Sequence, residues 1–271
     1  MVISLLEITF KARWWAWVVL VTPIGSTFKP LLLSNATTSL LVQMHNMIVF
    51  DVDGTLVGGE AADWASFEAA FEEVAGFVLD EKFFGRIEEV TAQAIVHQAL
   101  EDACLEKKKQ VECAVRQGYL RRLRCTHESS PSSFPALGGA FALLAELKER
   151  EVPVAIATGD WFESSGFKLR AAGIPFDDLP MVTSSDFYSR ADIIAGAIAK
   201  AGRPMTEAVY VGDGIWDVRA CQKLGIPLIG VGLRKKKLEA AGATHTLPDL
   251  SPSNFWRVVD TIRNRSRADT E

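Results

Sequence analysis

The residues Ile48-Val49-Phe50-Asp51-Val52-Asp53-Gly54-Thr55-Leu56-Val57 constrain the fold more than any other stretch of this chain. Three apolar, β-favouring residues run straight into two carboxylates at i and i+2, and a Gly-Thr pair comes next. An apolar run of this length reads as a buried parallel strand, and its acids then fall at the carboxyl edge, where α/β sheets hold their ligands. Two neighbouring carboxylates repel each other, so the arrangement is costly unless a cation or a shared proton relieves it. A calcium loop also begins with alternating acids and a glycine, but it would want glycine at Leu56 and a bidentate glutamate at Ala62.

Strand and helix signals alternate along most of the remaining chain. Apolar strands are expected at 152–157, near 181–183, at 208–211 and at 227–231, with helices over 140–150, 162–172, 190–201 and around 255–262. Gly173 with Pro175 beyond it is a helix stop. The alternation predicts a parallel sheet covered on both faces, a three-layer α/β/α Rossmann-like core. Residues 60–125 interrupt it with a helical block. Trp64, Phe67, Phe71 and Val74 recur at three- and four-residue steps, the stretch 87–105 shows the same helical period through Ile95, Leu100 and Leu105, and 111–123 continues it. Residues 126–139, rich in Ser, Pro and Gly, read as the return linker. Lys107-Lys108-Lys109 and Arg121-Arg122-x-Arg124 are read as solvated helix faces.

A length of 271 residues suits one large α/β domain or a core with a smaller insertion. The net charge of −5 provides no basic field, so nucleic acid is not an expected partner. Cys104, Cys113, Cys125 and Cys221 form no C-x-x-C pair and no zinc spacing with His97 or His127, which suits reduced thiols in the cytoplasm. Residues 1–46 read differently from the rest. The apolar run Trp14 to Val21 stops at Pro23, short of the roughly 18 residues needed to cross a bilayer, so no stable membrane span is expected. A secretory signal and a membrane-surface helix compete there with an extension upstream of the working protein. The extension is preferred, with the start at Met44 or Met47.

Asp51-Val52-Asp53-Gly54-Thr55-Leu56 resembles the first motif of the haloacid dehalogenase superfamily of phosphotransferases. Candidates for its other three motifs occur in order over about Met47 to Leu250. The resemblance implies that Asp51 is a nucleophile forming an aspartyl-phosphate, and that Asp53 is the general acid and then the base. It implies that Thr158 and Gly159 hold phosphoryl oxygens, and that a cation near a helix start neutralises the transferring group. Arg190 is chosen for that cation, with Lys168 as competitor. Asp213 of Gly212-Asp213-x-x-x-Asp217 is expected to bind Mg²⁺ with Asp51 and the Asp53 main-chain carbonyl, with Asp217 steadying the site or serving as an alternative ligand. Gly212-x-Gly214 is no dinucleotide loop, since Asp217 stands in the third glycine's place.

The same resemblance makes residues 60–125 a helical cap, with 47–59 and 126–271 as core. Within the cap, Arg86 and Thr91 are the candidate substrate-selecting residues. The chain is similar to the phosphoglycolate phosphatase-like group, which implies Mg²⁺-dependent hydrolysis of a small phosphorylated metabolite. A phosphoglucomutase-type transferase and a non-catalytic binding module on the same fold are the competing expectations.

Overall fold

The computed structural model describes residues 47–106 and 108–268. The expectations for residues 1–46 lie outside the described residues. Six parallel strands form one sheet: β1 (Met47–Phe50), β2 (Val154–Ala157), β3 (Met181–Val182), β4 (Ala208–Gly212), β5 (Leu228–Val231) and β6 (His245–Leu247). Their spatial order is β3-β2-β1-β4-β5-β6. The chain therefore builds outward from β1 to β3, returns to the other side of β1, and builds outward again. Phe50 is paired with Ile156 on one flank and with Val211 on the other. The order reverses between β1 and β4, and an open α/β sheet presents its crevice outside the carboxyl ends of such strands.

Alternation along the strands sorts the core into two layers. Ile48, Phe50, Ile156, Val209, Val211 and Ile229 belong to one buried cluster, while Met47, Val49, Ala155, Ala157 and Tyr210 belong to the other. The first is covered by α5 (Ala140–Glu149), α6 (Phe162–Ala171) and α10 (Pro252–Ala268) through Leu143, Leu147, Leu169, Phe255 and Val259. The second is covered by α7 (Arg190–Lys200), α8 (Ile215–Leu224) and α9 (Lys235–Ala240) through Ile193, Ile194, Val218 and Leu238. Burying each large apolar side chain contributes roughly 1.5–3 kcal/mol, which is what holds helices of modest intrinsic stability on both faces. This is the three-layer α/β/α arrangement that the alternation of elements predicts.

The inserted block forms α1 (Glu60–Ala75), α2 (Glu81–Arg86), α3 (Ala92–Asp102) and α4 (Lys108–Ser129). Phe67, Phe71, Val115 and Tyr119 knit α1 to α4, so the aromatic stripe is core, as its period suggests. α4 runs past the expected boundary at 125, because nothing before Ser130-Pro131 stops it; the return linker is correspondingly shorter. Strand β6 and helix α9 are additions to the expected elements. One is three residues long, and the other is a lysine run carrying a single buried leucine, so neither has a readable period.

The cap joins the core at two adjacent crossings. Val57 bridges Ala136, and the Gly58 N–H donates to the Pro135 carbonyl at 2.8 Å. The cap also rests on the core elsewhere. The Ala92 N–H donates to the Gly159 carbonyl at 2.7 Å, and Thr91 Oγ1 donates to the Tyr188 carbonyl at 2.9 Å.

Candidate active site

Asp51 is the first residue past β1, is 3% exposed, and still donates its N–H to the Val211 carbonyl at 2.9 Å. The chain then folds back at once. The N–H groups of Leu56 and Val57 both reach the Val52 carbonyl at 2.9 Å. Gly54 has φ +73°, and a Cβ there would stand 2.4 Å from Asp213 Oδ2, so only glycine lets this turn pass beside the end of β4. Gly54 of the opening motif and the acid at the end of β4 thus lie directly against each other.

Arg190, in the first turn of α7, reaches into this corner. Ser189 caps that helix by accepting the Asp192 N–H at 3.2 Å. The Arg190 guanidinium donates from Nη1 to Asp51 Oδ1 at 3.4 Å and from Nη2 to Asp51 Oδ2 at 3.3 Å. Its Nε lies 3.0 Å from Asp217 Oδ1, close enough for an ion pair although misaligned for a hydrogen bond. Burial works against the charge on Arg190, but Asp217 and Asp51 outweigh it and hold the guanidinium protonated. Asp217, fully buried, also accepts the Gly214 N–H at 3.0 Å.

Asp51, Asp213 and Asp217 each bring a carboxylate oxygen within 4.8 Å of the other two. Burial, then the charges of Asp51 and Asp217, push Asp213 up to about 8, although Arg234 donates to it at 3.0 Å. Burial pushes Asp217 up to about 7 against the pull of Arg190. Three buried acids facing two arginines, Arg190 and the half-exposed Arg234, keep a surplus of negative charge. An all-oxygen donor set with that surplus fits a hard divalent cation such as Mg²⁺.

The Asp53 side chain does not join this trio. It pairs with Lys168 of α6, whose Nζ is 2.7 Å from Asp53 Oδ1, 2.7 Å from Asp63 Oδ1, 2.9 Å from Asp160 Oδ2 and 3.2 Å from the Tyr119 hydroxyl. Lys168 is completely buried, and the three carboxylates outweigh burial and raise its pKa well above the ordinary value. Asp53 and Asp63 are themselves raised, first by burial and then by their acidic neighbours, against Lys168. The two cations that compete for one role in the sequence therefore occupy different places: Arg190 faces Asp51, and Lys168 faces Asp53. Sequence reasoning misses Asp63, Tyr119 and Asp160 as site residues. Asp63 and Tyr119 lie on cap helices and Asp160 on the core, and no local pattern links them.

A cavity of about 130 Å³ opens between core and cap. Its floor is Asp51, Asp53, Thr158, Gly159 and Arg190, and its roof includes Trp64, Phe67, Ile95 and Tyr119. Part of the aromatic stripe is thus both cap core and pocket wall. Thr158 lies just past the end of β2, where its hydroxyl accepts the Asp160 N–H at 3.3 Å. A Cβ on Gly159 would lie 3.0 Å from both Arg190 Nη1 and the Val90 carbonyl, so the floor is narrow there. Arg86 lies away from the cavity, paired with Asp102 at 2.6 Å and exposed over the Phe83 ring. Thr91 is buried between its flanking wall residues Val90 and Ala92. Its hydroxyl is spent capping α3, where it accepts the Ala94 N–H at 3.2 Å, and tying the cap to Tyr188.

Carboxylates gathered at the switch point of a parallel sheet, beneath helices inserted between β1 and β2, define an α/β enzyme core. The chain belongs to the haloacid dehalogenase-like hydrolase family, whose profile matches residues 48–231. A phosphoglycolate phosphatase of Yersinia pestis is 26% identical over 247 residues, covering 83% of this chain and 96% of that protein. Among solved structures, a hydrolase from Pseudomonas syringae superposes with TM-score 0.65 at 21% identity, covering 80% of this chain and 99% of that one. A β-phosphoglucomutase from Clostridium difficile gives 0.64 at 14% identity, covering 82% and 99%. These two likenesses show the fold.

Proposed function

We propose that this hydrolase cleaves a small phosphomonoester through a phosphorylated Asp51. The observation that carries the reading is the setting of Asp51: a buried carboxylate at the switch point, facing a capped cavity and flanked by one arginine and two further acids. In the first half-reaction Asp51 Oδ attacks phosphorus and the bond to the leaving oxygen breaks. Asp53, whose pKa burial raises well above the ordinary carboxylate range, gives that oxygen its proton. In the second, the Asp53 carboxylate takes a proton from water, which attacks the aspartyl-phosphate and returns Asp51 as phosphate departs. Arg190 and the Thr158-Gly159 turn orient the phosphoryl oxygens and balance their charge. Asp51, Asp213 and the Asp53 main chain would hold Mg²⁺, with Asp217 as support or alternative ligand, and the ion supplies further charge neutralisation when bound. The cap excludes water from the first half-reaction. Four unpaired thiols, three of them exposed, fit a reducing compartment such as the cytoplasm.

Phosphate release from a panel of phosphomonoesters, measured with Mg²⁺ and with EDTA, tests the reading. Metal-dependent release is expected, and Asp51→Asn should lower it by at least about a thousandfold. Isomerisation of a sugar phosphate without net phosphate release would give the assignment to a mutase, and release that survives Asp51→Asn would end the nucleophile assignment.

A further inference from the structure

We infer that the leaving group this pocket accepts is small and uncharged, so the preferred substrate bears its only negative charge on the phosphoryl group. The inference rests on the phosphatase reading and sharpens it to a substrate class. The cavity has two ends. Thr158, Gly159, Arg190 and Asp51 make the phosphoryl end, so the leaving group must face Trp64, Phe67, Val90, Ala92 and Ile95. That second end is largely apolar. Its polar neighbours are the acids Asp63 and Asp160 and the Tyr119 hydroxyl, which is spent donating to those two carboxylates.

A carboxylate or second phosphate on the leaving group would need a cation here, and none is free. Among the described residues lining the cavity Arg190 is the only cation, and it belongs to the phosphoryl end, where its guanidinium faces Asp51 and Asp217. Lys168 lies just behind the wall, but it has no exposure and is surrounded by Asp53, Asp63 and Asp160. Arg116, the next candidate on a cap helix, is paired with Glu163 and donates to Ser185 Oγ at 2.9 Å. An anionic leaving group would therefore lose its hydration against aromatic and aliphatic surface while facing two acids, and both effects oppose binding. Size points the same way: about 130 Å³ is well under the roughly 300 Å³ at which drug-sized ligand pockets begin. The preference of the Yersinia pestis relative, implied by its name, is thus not expected to transfer, since phosphoglycolate carries a carboxylate.

The test compares two esters of nearly equal shape, phosphoglycolate and its uncharged amide, by kcat/KM under Mg²⁺. The amide is expected to be preferred by about a hundredfold, the scale on which an apolar wall discriminates between near-isosteric groups. Val90→Lys, at a partly exposed wall position where a long side chain can reach the cavity, should shrink that ratio to less than about tenfold by giving the carboxylate a partner. A ratio near one, or a preference for phosphoglycolate in the unaltered protein, overturns the inference while leaving the phosphatase reading intact. Turnover of neither ester, nor of propyl phosphate, overturns both.

Discussion

At the scale of single residues, the unexpected finding is where Lys168 spends its charge. Three carboxylates surround one ammonium, so the cluster holds more negative charge than it can neutralise, which favours a retained proton. Asp53 is a natural holder, because burial and two acidic neighbours raise its pKa. A general acid needs that proton at working pH. Lys168 pulls in the opposite direction, and Lys168→Met should therefore raise the pKa of Asp53 further. If the first half-reaction limits kcat/KM, its alkaline limb moves to higher pH in the variant. Loss of the counter-charge should also cost about 3–5 kcal/mol of stability, as for other buried pairs broken on one side. A pH profile that overlays the parent's, in a variant shown to be folded, would remove Lys168 from the proton balance of Asp53. The acids Asp51, Asp53 and Asp213 are visible as candidates in the sequence because each lies at the end of an apolar strand. Lys168 is visible there only as a stray cation, since its partners lie on four different segments.

At the scale of elements, the cap junction is the part under most backbone constraint. Gly59 has φ +96°, and a Cβ there would stand 2.0 Å from the Ser133 carbonyl oxygen, which is main chain and cannot rotate away. Gly58, one residue earlier, meets nothing closer than Pro135 Cγ at 3.4 Å. Gly59→Ala should cost about 1–3 kcal/mol in denaturant unfolding, and Gly58→Ala clearly less. Equal effects would show that the junction is not held by its backbone geometry. Helix periods reveal the cap because α1, α3 and α4 bury one face each. They do not reveal where α4 ends, because Thr126-His127-Glu128 carry neither a breaker nor a period. They also place a helix over 87–105 where the chain is helical only from Ala92 to Asp102, since apolar residues at 87 and 90 pack the linker against the cap core.

For the whole molecule, the acids of the site tie stability to pH and to metal. Asp213 near 8 and Asp217 near 7 mean that the metal-free fold keeps protons an unfolded chain has already released above about pH 4. Their contribution is fully present below that pH and is lost as pH rises through 7 and 8, so unfolding becomes easier toward pH 8. Mg²⁺ would replace the protons and oppose the loss. Thermal midpoints in EDTA should fall between about pH 5.5 and 8, and Mg²⁺ should raise the midpoint more at the upper end of that range than at the lower. A midpoint flat in pH and indifferent to Mg²⁺ would mean that the three acids are not a cation site. The amino-acid sequence by itself determined the parallel three-layer architecture and which acids end the strands, because strand burial and helix period are written in neighbouring residues. Only the tertiary structure decided that Arg190 rather than Lys168 meets Asp51, that the cap lends Asp63 and Tyr119 to a core lysine, and that the pocket wall is left without a spare cation. Those outcomes depend on charges that lie far apart along the chain and meet only when the cap settles on the switch point of the sheet.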